Sequence, residues 1–238
     1  GLDFQTLAGW GMQEVPHKRY LNDFFTGKIA ESVSRGELYN EDPITGDARF
    51  CGTTASMCGI ESAGFEQNEE KKKRAVRFDL MLHAYMMVQS GIPMLYSGDE
   101  IGQVNDYTYK NDPEKRVDSR YIHRGKFDWK LAGGRKRKGT VQKELFDGIG
   151  KLRSIRSKEK VFDALANVWT LDTWENGILG VVRELEGEQM TALFNFAEED
   201  RTAWIEEEGE YMDLYTGKKV SLQAIKMEGH SFVLAKKC

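Results

Sequence analysis

Apolar and polar positions repeat with different periods along this chain, and the changes of period mark its elements. From Glu69 to Ser90 the apolar residues Val76, Phe78, Leu80, Met81, Leu82, Tyr85, Met86 and Met87 cover more than one face of a predicted helix. That pattern belongs to a helix packed between a sheet and other elements. Asn68 is placed to cap it, Glu69 and Glu70 suit its first turn, and Gly91 with Pro93 ends it. A later stripe, Val141, Leu145, Ile149, Leu152 and Ile155, predicts a second helix over Val141 to Ser157 with a single buried face. Between the two lies Gly91-Ile92-Pro93-Met94-Leu95-Tyr96-Ser97-Gly98-Asp99-Glu100-Ile101-Gly102. A short apolar run bracketed by Gly and Pro reads as a strand buried on both faces, delivering Asp99 and Glu100 into a polar loop at its C-terminal end.

From about Val161 the pattern changes to short alternating strands, with turn signals at Glu175-Asn176-Gly177, Glu186-Gly187-Glu188, Glu208-Gly209-Glu210, Thr216-Gly217 and Glu228-Gly229. This spacing predicts an antiparallel β-sandwich. Asn176-Gly177, between Val168–Trp174 and Ile178–Arg183, is a hairpin signal because both residues tolerate positive φ. Trp169 and Trp174 stand an odd number of residues apart, so one regular strand would turn them to opposite faces. The Glu206-Glu207-Glu208 run reads as a solvated turn. The first 65 or so residues are polar and rich in aromatics, with helices predicted near Lys18–Thr26 and Thr53–Ser62.

Composition narrows the chemistry. The chain has 238 residues, 40% hydrophobic and 30% charged, with a net charge of −4, so a general attraction to the nucleic-acid backbone is not expected. Its longest basic run, Arg135-Lys136-Arg137-Lys138, sits in a predicted loop. No run of roughly 18 apolar residues is present to span a bilayer. The three cysteines, Cys51, Cys58 and Cys238, form no C-x-x-C pair, and the four histidines are scattered. Free thiols in a reducing, cytoplasmic location and no metal site are the expectation. A phosphate loop is rejected, since Gly52-Thr53-Thr54-Ala55-Ser56 lacks the Gly-Lys-Ser/Thr ending.

The run Gly91 to Gly102, followed by Asn105-Asp106-Tyr107 and Asp118-Ser119-Arg120-Tyr121-Ile122-His123-Arg124, resembles the eighth-strand region of glycoside hydrolase family 13, the α-amylase family. With Tyr20-Leu21-Asn22-Asp23-Phe24-Phe25 and Thr45-Gly46-Asp47-Ala48-Arg49-Phe50-Cys51-Gly52-Thr53 in order before it, the resemblance narrows to amylosucrases and sucrose-hydrolysing relatives. It implies an α/β plus all-β fold, namely the last part of a (β/α)8 barrel (inserted lobe, seventh helix, eighth strand and helix) followed by a C-terminal antiparallel β-sandwich. The implied divisions are 1–65, a lobe inserted after the seventh strand; 66–159, the end of the barrel; and 160–238, the sandwich. Gly1 then matches the final residue of the family's seventh-strand His-Asp-Asp-Ile-Gly motif. The carboxylate nucleophile and the general acid/base belong to strands that precede it.

The resemblance also sorts the candidate residues. A retaining glycosidase needs two carboxyl groups about 5–5.5 Å apart across the scissile bond. Asp99 and Glu100 do not supply that pair, because neighbours on extended chain point to opposite sides, and are expected to support the loop, as are Asp118 and His123. Arg120 matches an arginine that closes the far end of the sugar pocket, and Arg49 one on the acceptor side. A guanidinium suits both, since it holds a carboxylate bidentately or donates to several sugar hydroxyls. Lys18 departs from the family pattern, where an arginine stands. The implied function is part of a retaining α-glucosidic enzyme acting on sucrose or α-glucans by transfer or hydrolysis, with no cofactor. The implied partner is the remainder of the barrel or a second copy of the chain. An α-glucan hydrolase, a sucrose phosphorylase and a non-catalytic carbohydrate-binding or assembly module stand as alternatives.

Overall fold

The computed structural model describes residues 4–9 and 11–238; the seventh-strand assignment of Gly1 lies outside them. The chain divides into two compact units, Gly1–Val76 with Ser97–Gly134, and Arg77–Tyr96 with Arg135–Cys238.

The first unit carries α1 (Phe4–Gly9), α2 (Glu14–Phe25), β1 (Glu37–Tyr39), β2 (Arg49–Cys51), α3 (Thr54–Met57), α4 (Ile60–Phe65) and the first turns of α5 (Glu69–Val88). Three single-turn 3-10 segments follow, Asp99–Ile101, Tyr107–Asn111 and Ser119–His123, and then α6 (Trp129–Ala132). The helix expected over Thr53–Ser62 is two short helices. Gly59 separates them at φ +96°, and a Cβ there would stand 2.9 Å from the Val33 side chain. Only glycine meets both demands. Asn22, buried on α2, donates from Nδ2 to the Gly46 carbonyl at 3.0 Å and anchors the loop that leads into β2.

The second unit holds the rest of α5, then α7 (Val141–Lys158) and eight strands: β3 (Asn167–Leu171), β4 (Ile178–Leu185), β5 (Glu188–Asn195), β6 (Arg201–Ala203), β7 (Tyr211–Asp213), β8 (Lys218–Val220), β9 (Ile225–Met227) and β10 (Phe232–Lys237). Six form an antiparallel sheet in the order β3-β4-β5-β10-β7-β8, and β6 pairs with β9. One face of the large sheet packs Val181, Met190, Ala192, Phe194 and Leu234 against Met81, Ala84, Met87 and Val88 of α5 and Leu152 and Ile155 of α7. The other face buries Ile178, Leu193 and Ala235 with Ala203, Ile205 and Met227 of the small-sheet side. The sheet therefore shares its main core with the two helices that the family resemblance assigns to a barrel.

Both helices start where their caps stand. Asn68 Oδ1 accepts from Lys71 N at 3.0 Å, and Thr140 caps α7 through Lys143 N. The end of α5 is closed by side chains. Arg183 Nη1 donates to Val88 O at 2.9 Å, and Arg156 donates to the carbonyls of Met87, Gln89 and Gly91. These carbonyls would otherwise lack partners at the end of a helix.

The turn signal at Glu186-Gly187 and the hairpin signal at Asn176-Gly177 separate here. Glu186 and Gly187 take positive φ, 53° and 83°, and join β4 to β5 with Leu185 opposite Glu188, a two-residue turn with left-handed central residues. At Asn176-Gly177 neither residue has positive φ; the connection runs from 172 to 177, and the left-handed position is Trp174 at φ +54°.

The expected eighth barrel strand is corrected. Residues 92–97 form no ladder, and no strand among the described residues pairs with them. Ile92 is 88% and Met94 76% exposed, where a strand buried on both faces would be near zero. Apolar sequence supplies the side chains of a buried strand, but its backbone groups need neighbouring strands to bond.

Candidate functional site

The first unit collects most of the predicted site residues around β1 and β2. These strands pair antiparallel with Glu37 opposite Cys51, Leu38 opposite Phe50 and Tyr39 opposite Arg49. Opposed residues share a face of the ribbon, so Glu37, Tyr39, Arg49 and Cys51 point the same way. Beneath that face Cys51, Tyr109 and Ile122 are buried together, with Tyr39 and Tyr121 packed against them.

Two aspartates fold the loops onto this ribbon. Asp106 Oδ1 accepts from Thr108 N at 2.9 Å, and Asp118 Oδ1 accepts from Arg120 N at 3.0 Å, each starting a 3-10 turn. Aspartate favours such positions because its carboxylate satisfies the N–H groups that a starting turn leaves open. Asp106 N donates to Ile122 O at 2.8 Å, and Ser119 Oγ to Leu38 O at 2.7 Å, which ties the second turn to the first and to β1.

Asn105 links the floor. Its Oδ1 accepts from Thr53 N at 2.9 Å, its backbone N–H donates to Ser56 Oγ at 2.9 Å, and its Nδ2 donates to Arg35 O. Tyr107 OH accepts from the same amide and donates to Glu61 Oε1 at 2.8 Å. Tyr109 OH donates to Glu37, which also pairs with Lys110. Burial, and then the Glu37 carboxylate, push the Tyr109 phenol well above its ordinary range, so it stays protonated and donating.

Arg120 is the centre of the charged group. Its Nε donates to Asp118 Oδ1 at 2.8 Å and Oδ2 at 3.1 Å, its Nη2 donates to Oδ2 at 2.7 Å, and its guanidinium lies 4.3 Å from the Tyr39 ring centroid. Hydrogen bonding to Arg120 lowers the Asp118 pKa to about 2 and raises that of Arg120. Asp118 occupies the side edge of the planar fork. The end edge, carried by Nη1, has no hydrogen-bond partner among the described residues. The Arg49 side chain is exposed, with no hydrogen bond or ion pair among the described residues, and the residue stands across the ribbon from Tyr39. Of the two arginines singled out in the sequence, Arg120 lies over the Tyr39 ring and Arg49 is its register partner on the neighbouring strand.

The remaining predicted residues have local roles. Asp99 Oδ1 accepts from Thr54 Oγ1 at 3.1 Å at the start of α3, and Glu100 Oε2 accepts from Gly98 N at 3.2 Å. His123 closes the Ser119–His123 turn half-buried; burial first, and then the Arg124 charge, lower its pKa and favour neutral imidazole. Sequence reasoning missed Tyr39, Glu37 and Glu61. Nothing in the local pattern marks Tyr39, because its position depends on the register of β1 against β2. Asn105 and Tyr107 were visible only as parts of a motif, without their bonds.

No family model matches the chain. Among solved structures it is similar to a maltogenic amylase from S. marinus at 19% identity and a TM-score of 0.47, over 67% of this chain and 19% of that one. It is also similar to an Anoxybacillus α-amylase at 22% identity and a TM-score of 0.48, over 69% and 32%. A third is a variant of AmyP in complex with maltotriose, at 14% identity and a TM-score of 0.55, over 69% and 35%. The chain spans about a third or less of the length of these structures. At such identity the likeness to AmyP is one of fold, shared over a part of that enzyme's length.

Proposed function

We propose that the chain is part of a retaining α-glucosidic enzyme of the α-amylase family, acting on sucrose or on α-glucans, and that it supplies substrate-pocket residues while the catalytic carboxylates lie outside it. The observation that carries this reading is Arg120, held by Asp118 over the Tyr39 ring with its end edge open, while Arg49 stands opposite Tyr39 in the β1–β2 register. An open edge of a fixed guanidinium binds a second carboxylate or two sugar hydroxyls. Asp118 holds the group in place, so little rotamer freedom is lost on binding.

In this reading 1–65 is the inserted lobe, 66–159 the end of the barrel and 160–238 the sheet domain, and the enzyme works in a reducing, cytoplasmic compartment. Sucrose cleavage would proceed by attack of a carboxylate on the anomeric carbon, release of fructose, and transfer of the glucosyl group to water or a glucan end. Arg120 would close the pocket beyond the glucosyl ring, and Arg49 would meet the acceptor. The remainder of the barrel would be supplied by the parent polypeptide, with self-association as the fallback for the chain alone.

The test is made in the complete enzyme. Arg120→Lys keeps the charge and loses the fork; kcat/KM on the preferred substrate, among sucrose, maltoheptaose and starch, should fall at least roughly tenfold. Unchanged kcat/KM on all three would refute the assignment, and the substrate panel separates a sucrose enzyme from an α-glucan hydrolase. The 238-residue chain by itself should release neither glucose nor fructose from sucrose above a blank.

A further inference from the structure

We propose that Trp174 and Trp204 form an aromatic platform that binds an α-glucan chain, a second carbohydrate site carried by the sheet of the second unit. The tryptophans are far apart in sequence, but Trp204 N donates to Thr173 O at 2.9 Å and lays the segment after β6 against the turn after β3. Trp174 is 69% and Trp204 57% exposed, and neither indole makes a ring contact among the described residues. The backbone bond brings two exposed aromatics onto neighbouring chain segments, and adjoining exposed apolar surface marks interaction sites.

The turn is built to hold Trp174 where it is. Thr173 is buried, and its hydroxyl bonds with Glu175 O at 3.1 Å and Ile178 O at 2.8 Å. Asp172 Oδ1 accepts from Trp174 N at 2.9 Å. Trp174 itself sits at φ +54°, a conformation in which a bulky side chain is strained and glycine or asparagine is at ease. Neither packing nor backbone geometry accounts for tryptophan at this position, which leaves its outward indole as the reason.

The surroundings select the occupant. Arg201 lies 3.5 Å from Glu175, the residue after Trp174, and 3.4 Å from Glu199, which puts charged groups on the same turn as Trp174. A pyranose offers an apolar C–H face to an indole and hydroxyls to such charged groups. A second copy of the chain is a poorer fit. Two indoles present roughly 300 Å², and a stable protein interface takes about 800 Å² from each partner.

The α-linkage rests on the function proposed above, and the test keeps the two apart. The full 238-residue chain is run in native gels containing soluble starch or hydroxyethyl cellulose. Starch should retard it, Trp174→Gly or Trp204→Ala should each weaken the retardation roughly fivefold, and the double variant should run as in a blank gel. Trp169→Ala should leave retardation unchanged. Absence of retardation of the unmodified chain by starch, or full retardation of a double variant with unchanged circular dichroism, overturns the inference. Retardation by hydroxyethyl cellulose alone overturns the α-glucan assignment. Because no turnover is read, loss of this site leaves the pocket proposal to be judged by the Arg120 kinetics.

Discussion

Met190–Phe194 and Ile92–Tyr96 are runs of similar apolar character, and they meet opposite fates. In the first, β4 and β10 bond both edges, and Met190, Ala192, Leu193 and Phe194 are excluded from water. In the second no ladder forms, and Ile92, Met94 and Tyr96 are exposed. Side-chain pattern states what a strand would bury. Only neighbours that satisfy its N–H and C=O groups make it one.

The sharpest way to break the comparison is to truncate one residue in each run. Phe194, in edge-to-face contact with Tyr85 at 5.4 Å, should cost about 3–5 kcal/mol on Phe194→Ala. Met94→Ala in the same 238-residue chain should cost less than about 0.5 kcal/mol. Urea unfolding followed by circular dichroism measures both, and a large loss from Met94→Ala would mean that its run is packed after all.

Next in size is Arg183, buried and donating to Val161 O, Val88 O and Asp163 O. Burial, then the Arg156 charge, lower its pKa. Replacing it with Leu leaves the buried Val161 and Val88 carbonyls short of a donor and removes a bond to Asp163 O, and a loss of roughly 3 kcal/mol is expected in the same assay. The end of α5, from which the exposed run departs, should show faster amide exchange.

A smaller, pH-dependent effect tests the other unit. Asp118 has its folded pKa lowered to about 2 from 3.8. A depressed carboxylate stabilises the folded state above its unfolded pKa, and the contribution is lost as pH falls from about 4 toward 2. Asp118→Asn should therefore be less stable than the unmodified chain at pH 6, and the difference should close over that window. A difference independent of pH would mean that the Arg120 pair contributes nothing through its charge.

The smallest effect is expected at Trp174. Trp174→Gly relieves the positive φ, offset in part by the freedom glycine has when unfolded. Its thermal midpoint should stay the same or rise, by no more than about 1 kcal/mol, roughly 2–4 °C. A clear fall would show that the indole stabilises the turn.

The helices were legible because their signals are local. Asn68, Glu69 and Glu70 start α5, and the stripe Leu145, Ile149, Leu152 and Ile155 of α7 is the face that is buried. The turn at Glu186-Gly187 was legible for the same reason, since two adjacent residues supply its φ angles. Asn176-Gly177 had the right composition, yet the left-handed position went to Trp174, because the pairing of Trp204 N with Thr173 O and the burial of Thr173 shape a longer connection. Arg49 and Arg120 were found as motif residues, while Tyr39, which lies under Arg120 and opposite Arg49 in the ladder, carried no mark.

What this sequence determined alone was the set of elements whose codes lie within a few residues: two capped helices, a run of alternating strands, and the turn at Glu186-Gly187. What tertiary structure decided was every contact made at long range: the sheet order, the sharing of its core with α5 and α7, the register that sets Arg49 across from Tyr39, and the failure of 92–97 to become a strand. The division follows from where the free energy resides. Caps and turns satisfy their own backbone groups locally, whereas a ladder or a buried face exists only when distant segments meet and exclude water together.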